Sequence, residues 1–473
     1  LNNSKLISLI KTLEEKEKKQ IKRLLKLDYF NQSKDVTRLW ELIVKQLNKG
    51  NERLLQKEKL FEKLFPSTPY TDIKLRNLMR KLTKIIEDFL LNQSIQKDEL
   101  QREIALNNIY NERNLYDLFT KNTAKLTRQL GAQKQRGSDY FLNQFELINS
   151  YYHHPNTEKN NHSVLQLQKA AKNLNAFYHT EKLRIELELI SQQRVFSKSY
   201  DDSFFVHSNF DYANTLLIQK LIELIKDPNE AAYFSLKRLF MSQHMELVKE
   251  DRLDIFQGIL NYAMRRELEV GIKFSQEVFE LYNFGFDKDI LLIKGKITGG
   301  TFYNSVLIAI KLAQYEWAEK FISKYNDSIA SIYATDFVII SNCNLNFGRQ
   351  HFELVIELLN SYSFQSEIIN LQAKQLICKT YFELVIQKKA DISLCQNALL
   401  SFEKYLRRKD QLSEIKKKPI LNFVYLTYKM INLQLNPNSS TKEWKRLQKS
   451  FEESEVISNK KWLKEKLTIN PND

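Results

Sequence analysis

Apolar residues recur at three- and four-residue intervals along almost the whole chain, the spacing that lines one face of an α-helix. Val36, Leu39, Trp40, Ile43, Val44 and Leu47 form one such stripe, opened by Ser33 and closed near Lys49-Gly50. A helix over 54–65 stops at Pro66-Ser67-Thr68-Pro69. Thr71 or Asp72 then starts a longer one carrying Ile73, Leu75, Leu78, Leu82, Ile86 and Phe89. Thr12-Leu13-Glu14-Glu15 has the spacing of a capping box, in which Thr12 and Glu15 each satisfy an orphan amide. These elements predict a helical unit over 1–95.

Amphipathic segments continue through 96–300. They are separated by stretches at 131–138, 152–163, 198–203, Asp227-Pro228-Asn229, Asn283-Phe284-Gly285 and 294–301. Long helices with short connections form antiparallel hairpins. From 301 to 435 a repeat emerges. Tyr315 and Phe352 each open a helix and stand 37 positions apart, as do Ala318 and Val355, and two further helices are expected at 371–384 and 392–406. A period of this size means stacked helical hairpins, none of which buries its apolar face alone. An aromatic three positions before a small or apolar residue resembles the second helix of a tetratricopeptide repeat, although Val355 stands where that family prefers Ala. A basic stretch at 416–419 precedes a helix over 420–435 that closes the array. Residues 436–440 read as a linker, and 441–467 as one or two amphipathic helices docking back. The expected fold is all-α: an α-solenoid of stacked antiparallel, tetratricopeptide-like hairpins behind an N-terminal helical domain. Its segments are 1–95, 96–300, 301–435 and 436–473.

Composition narrows this picture. The 473 residues include only 10 Gly and 7 Pro, too few for the many reversals a sheet protein of this length needs. The chain exceeds the ~250–300 residues at which one core stops growing. No run of about 18 apolar residues is present, so no membrane span is expected. The first residues, LNNSKLISLIKTLEEKEKK, read as a charged amphipathic helix rather than a secretory signal. Cys343, Cys378 and Cys395 are odd in number, far apart and without metal-ligand spacing, as expected of buried core residues in a reducing cytoplasm. The net charge of +15 is uneven, with basic excess in 1–200 and 401–473 and a slight acidic excess between. Basic ends are compatible with RNA or DNA contact. A chain rich in Lys, Asn, Ile, Phe and Tyr also gains such charge on solvated faces with no partner.

The segments FEKLFPSTPYTDIKLRNLMRKL (61–82), FYHTEKLRIELELISQQRV (177–195) and NLQAKQLICKTYFELV…ALLSFEKYLRRKDQLSE (370–414) resemble a family of uncharacterised bacterial proteins of similar length. The resemblance spans most of the chain. It implies an all-helical protein with tetratricopeptide-like C-terminal repeats and carries no assigned activity.

Candidate chemistry is sparse. His153, His154 and His162 read as a solvated loop, because no carboxylate or Cys completes a metal motif. In Gly295-Lys296-Ile297-Thr298-Gly299-Gly300-Thr301 the lysine precedes the glycine pair, whereas a phosphate loop needs it afterwards; a connector entering a helix at Thr301 is expected. Asp201-Asp202 and Asp251/Asp254 read as loop or helix-surface carboxylates. Lys182 and Arg184 could hold a carboxylate or phosphate if exposed, or pair with acids on their own helix. Arg407, Arg408, Lys416, Lys417 and Lys418 form the sharpest basic cluster, which could contact a partner or simply complement a helix dipole. No cofactor, metal or catalysis is expected. The function read from the sequence is a cytoplasmic protein–protein interaction scaffold that binds another protein or a peptide; the alternative is an RNA- or DNA-binding helical array.

Overall fold

The computed structural model describes residues 4–49, 56–159, 161–196, 213–409, 412–436 and 440–468. Its described regular elements are 22 α-helices and two short 3₁₀ turns. Among the described residues no helix is long and apolar enough to cross a membrane. The chain folds into two units, one of residues 1–134 and 138–178 and a second of residues 135–137 and 179–473. Its break after residue 178 falls inside the segment 96–300 expected from the sequence.

The first unit begins with α1 (Lys5–Thr12), α2 (Glu15–Leu24), α3 (Lys34–Asn48), α4 (Lys57–Leu64) and α5 (Asp72–Lys97). Ser33 and Thr71 occupy the cap positions of α3 and α5, as their spacing predicts. The capping box at Thr12 does not form. Thr12 closes α1 and donates its hydroxyl to the Leu9 carbonyl at 2.7 Å, while Leu13 and Glu14 take the extended backbone that a cap requires. The Glu14 amide donates to the Glu17 carboxylate at 2.9 Å and so opens α2. On α5, Leu75, Leu78, Leu82, Ile86 and Phe89 are buried against Ile7, Ile10, Leu39, Trp40 and Phe61. The chain continues as α6 (Glu99–Glu112), α7 (Tyr116–Gly131), α8 (Ser138–His153) and α9 (Asn161–Phe196). Leu126, Leu130 and Leu147 make a smaller core between α7 and α8. Asn122 on α7 donates to the Glu103 carbonyl of α6 at 2.9 Å.

The second unit takes the remainder of α9 and continues with α10 (Ala213–Lys226), α11 (Glu230–Gln243), α12 (Lys249–Val270), α13 (Ile272–Asp287), α14 (Gly299–Lys311) and α15 (Tyr315–Tyr325). It is completed by α16 (Ala334–Gly348), α17 (Phe352–Ser361), α18 (Glu367–Ile386), α19 (Ile392–Arg407), α20 (Glu414–Gln434), α21 (Thr441–Glu453) and α22 (Lys460–Thr468). From α10 to α21 each helix packs on the next, and α10 also reaches α12, α14 reaches α16, α16 reaches α18, and α20 reaches α22.

The turns after α14, α16 and α18 share one conformation. Ala313, Gln350 and Lys388 follow α14, α16 and α18 with φ of 56°, 62° and 58°. In each case the next amide donates to the carbonyl five residues earlier: Gln314 to Ala309 at 2.8 Å, His351 to Asn346 at 2.9 Å, and Lys389 to Leu384 at 2.8 Å. This bond is the long one of a Schellman-type C-cap, which satisfies a carbonyl orphaned at the helix end. None of the three residues is a glycine.

The glycines work differently. Asn283-Phe284-Gly285, expected as a loop, lies inside α13. A Cβ on Gly285 would stand 2.8 Å from both Leu291 and Phe256, so glycine is required there by close packing rather than by a turn. Gly299 and Gly300 form the first turn of α14, ahead of the expected start at Thr301. Thr298 caps that turn by accepting the Thr301 amide at 3.2 Å. A Cβ on Gly299 would collide with the Phe337 ring of α16. Helix α20 starts six residues before the expected position and contains Pro419 in its second turn. Proline removes one helical bond there, and the Pro419 carbonyl accepts the Ser458 amide at 2.9 Å.

Candidate functional site

The seven basic residues singled out from the sequence fall on α9, α19 and α20 or at their ends. Lys182 is half-buried on α9. Arg184 donates through Nε to Asp251 Oδ1 at 2.7 Å and through Nη1 to Glu181 Oε1 at 2.5 Å. Arg407 donates twice to Glu403 Oε1, at 2.9 and 2.7 Å, one turn back on an exposed face. Arg408 is the exposed C-cap of α19. Lys416 and Lys418 are exposed, but Lys417 is buried, with its ammonium 3.5 Å from Glu414. A dipole account holds for Arg407 and Arg408 at a helix C-terminus. It fails for Lys416 to Lys418, which occupy the first turns of α20, where the dipole repels cations.

Arg184 and Asp251 belong to a cleft of about 450 Å³ between α9, α10 and α12. The 3.6-residue period places Arg184, Leu187, Glu188 and Ser191 on one face of α9, and Asp251, Asp254, Ile255 and Gly258 on one face of α12. Gly258 lets α12 approach α10, since a Cβ there would stand 2.5 Å from Leu221. Asp251 is therefore not the surface carboxylate expected, being 2% exposed, whereas Asp254 is exposed on α12, as expected, and lines the same cleft. Loss of solvent, followed by the neighbouring Asp251 charge, pushes the Asp254 carboxyl above its ordinary range, against the opposing pull of Arg184. Asp201 and Asp202 lie outside the described residues.

A second polar assembly joins α18 to the C-terminal helices. Gln375, Lys379 and Glu383 recur every four residues on α18. Glu383 accepts the Trp462 indole N–H at 2.9 Å and the Lys466 ammonium at 2.7 Å. Gln375 accepts from Ser458 and, at 2.9 Å, from Asn459. The Trp462 ring packs on Phe382 and Phe423, and Leu463 is fully buried. The Lys379 ammonium lies 4.7 Å from the Phe347 ring centre and 5.9 Å from that of Trp462. Burial pushes this lysine down to about 8, outweighing the nearby Glu383 and Glu465 charges.

That shift makes the unit pH-sensitive. The unfolded chain keeps the Lys379 proton up to the ordinary value of 10.5, whereas the folded chain releases it near 8. Between those values the unfolded state binds more protons, so stability rises with pH; below about 8 the full cost of a buried charge is present. Urea unfolding at pH 7.5 and 10, with Lys379→Met as reference, should show wild type gaining about 2 kcal/mol relative to the variant. A pH-independent difference would contradict this assignment.

The remaining motifs resolve simply. His154 is not solvated: it is 2% exposed. Its ring lies against Phe119 and Tyr116 with centroids 5.0 and 4.8 Å away, and its Nδ1 accepts the Asn156 amide at 3.1 Å. His153 is exposed, and the side chain of His162 lies outside the described residues. Lys296 donates to the Asp327 carbonyl at 2.9 Å, anchoring the connector before α14. Cys343, Cys378 and Cys395 are free and buried, and loss of solvent pushes Cys343 and Cys395 up to about 12 and Cys378 higher still. Among the described residues no three His, Cys, Asp or Glu side chains are grouped to hold a metal ion. No protein-family model matches the chain, and neither a curated protein nor a solved structure matches it.

Proposed function

We propose that this protein is an interaction scaffold whose second unit contains a tetratricopeptide-like stack of helical hairpins that binds another protein or a peptide. The observation that carries this reading is the recurrence of one turn. The left-handed residues 313, 350 and 388 are 37 and 38 positions apart, and the helices before them contact each other, α14 with α16 and α16 with α18. Repeating hairpins of this kind build a continuous curved surface larger than any single hairpin offers. The shared face of α14, α16 and α18 is the binding face in this reading. Leu307, half-buried on α14 in a second cleft of about 450 Å³ with Met264 and Leu268 of α12, marks one end of it. The unpaired thiols support a cytoplasmic location.

The test is capture of partners by the purified full-length chain with chemical crosslinking. A protein partner should be retained by wild type and by Lys416→Glu/Lys418→Glu, and lost with Leu307→Glu. Recovery of nucleic acid alone, abolished by the Lys416/Lys418 substitutions and untouched by Leu307→Glu, would replace the scaffold with the RNA- or DNA-binding reading.

A further inference from the structure

We propose that α22 is a built-in occupant of the binding face, and that the partner which displaces it is a basic amphipathic helix of the same pattern, an aromatic residue followed four positions on by a lysine. This rests on the reading of the shared face of α14, α16 and α18 as the binding face. Helix α18 presents Gln375, Lys379 and Glu383 on one stripe, four residues apart. Each of them meets α22 or the residues just before it. Glu383 accepts the Trp462 indole and the Lys466 ammonium, Gln375 accepts from Ser458 and Asn459, and the Lys379 ammonium reaches Asn459 Oδ1 at 3.4 Å. The Trp462 ring stands against Phe382 of α18 and Phe423 of α20, and Phe347 of α16 packs against the same apolar cluster. The seat extends to α14. Lys311, one turn from Leu307 on that helix, lies in the field of α22: loss of solvent pulls its ammonium down, and the Lys461 and Glu465 charges then act on it in opposite directions.

The chemistry of this contact suits a helix that leaves. Residues 454–459 join α21 to α22, a connection that spans up to about 20 Å when extended. When α22 departs, the polar groups on α18 return to water, which costs far less than leaving them buried without a partner. Lys379 regains the solvent whose loss holds its ammonium down to about 8. Leu463 and Leu467 are also buried, so a displacing helix must supply an apolar stripe beside the aromatic residue and the lysine. Helix α22 carries four lysines against one glutamate, and its Lys466 pairs with Glu383, which sets the sign of its replacement. A tethered occupant has an effective concentration of order millimolar, so it excludes weak helices and yields only to a tighter one.

The experiment is fluorescence anisotropy of a labelled peptide of residues 457–468, ISNKKWLKEKLT, titrated with the full chain. The chain carrying Trp462→Ala/Lys466→Ala, changes confined to α22, should bind this peptide at least about tenfold more tightly than wild type, where the tethered copy competes. Adding Glu383→Ala should remove the gain. Circular dichroism establishes that both variants remain folded. A second measurement needs no variant: excess unlabelled peptide added to wild type should speed hydrogen exchange of the α22 amides while those of α18 stay protected. Equal binding by wild type and the released variant, binding by neither, or α22 exchange unmoved by the peptide would overturn the proposal. Partner capture separates it from the scaffold reading. A protein captured equally by wild type and the released variant overturns the gating and leaves the scaffold. Nucleic acid captured alone, with the peptide and exchange results as expected, overturns the scaffold and leaves α22 as the occupant of this face.

Discussion

Replacing Asp336 with alanine should destabilise the second unit by about 4 kcal/mol, because three donors lose their acceptor in a site closed to water. Asp336 is 1% exposed on α16. Its Oδ1 accepts the Tyr362 hydroxyl at 2.7 Å, and its Oδ2 accepts the backbone amides of Gln365 and Ser366 at 2.9 and 2.6 Å. One carboxylate thus fixes the connection between α17 and α18 and presents Ser366 as the cap of the latter. Asparagine preserves the shape, can turn its oxygen to the two amides and its NH₂ to the Tyr362 hydroxyl, and loses only the charge, so Asp336→Asn should fall between wild type and alanine. Urea unfolding measures the loss, and hydrogen exchange locates it. Protection at residues 365–370 should collapse first, while that of α11 and α12 persists. Tyr362 gives a second readout. Its hydrogen bond to Asp336, with burial adding to it, raises the phenol above its ordinary range, and the alanine variant should return it downward in an ultraviolet titration. Unchanged stability together with an unchanged Tyr362 titration would remove Asp336 from this role.

The second large effect is expected at Glu383. Alanine there strands the Trp462 N–H and the Lys466 ammonium and leaves Lys379 without its closest counter-charge on α18. Breaking a buried ion pair from one side costs about 3–5 kcal/mol, and here the loss concentrates on how α22 is held. We expect Glu383→Ala to release α22, with red-shifted Trp462 emission and cleavage by trypsin at lysines 460, 461, 464 and 466 while α12 to α17 resist. Glu383→Gln keeps an acceptor for the indole but loses the ion pair, and should show partial release. Emission and cleavage identical to wild type in the alanine variant would mean that Leu463 and its apolar neighbours hold the helix without the carboxylate.

The sequence exposed the helical skeleton because burial of one helix face leaves a periodic trace that needs no knowledge of the partner. The starts at Ser33 and Thr71, and the starts of the helices at Tyr315, Phe352 and Ile392, were readable for this reason. Turns were less legible. Left-handed backbone at Ala313, Gln350 and Lys388 costs roughly 1–2 kcal/mol each, and neighbouring packing outweighs the local preference that would have marked them with glycine. Conversely, Gly285 and Gly299 look like breaks in a string of letters, yet each is dictated by a ring on another helix. Buried polar groups were illegible for a related reason. Arg184 meets Asp251 across 67 positions and Glu383 meets Trp462 across 79, and no local pattern announces a partner so far away. The basic letters at 416–418 looked alike, but helical geometry turns Lys417 inward and leaves its neighbours outside.

The three buried thiols have a practical consequence. Thiolate is the reactive form of cysteine, so an alkylating reagent has almost no target in the closed protein and must wait for a segment to open. Cys343 is set among α16 and α17, and Cys378 and Cys395 in the core that includes Trp462. Each is a natural clock for its own neighbourhood. The order in which the three become alkylated under mild denaturant would rank the local unfolding steps of the unmodified chain, with no probe introduced.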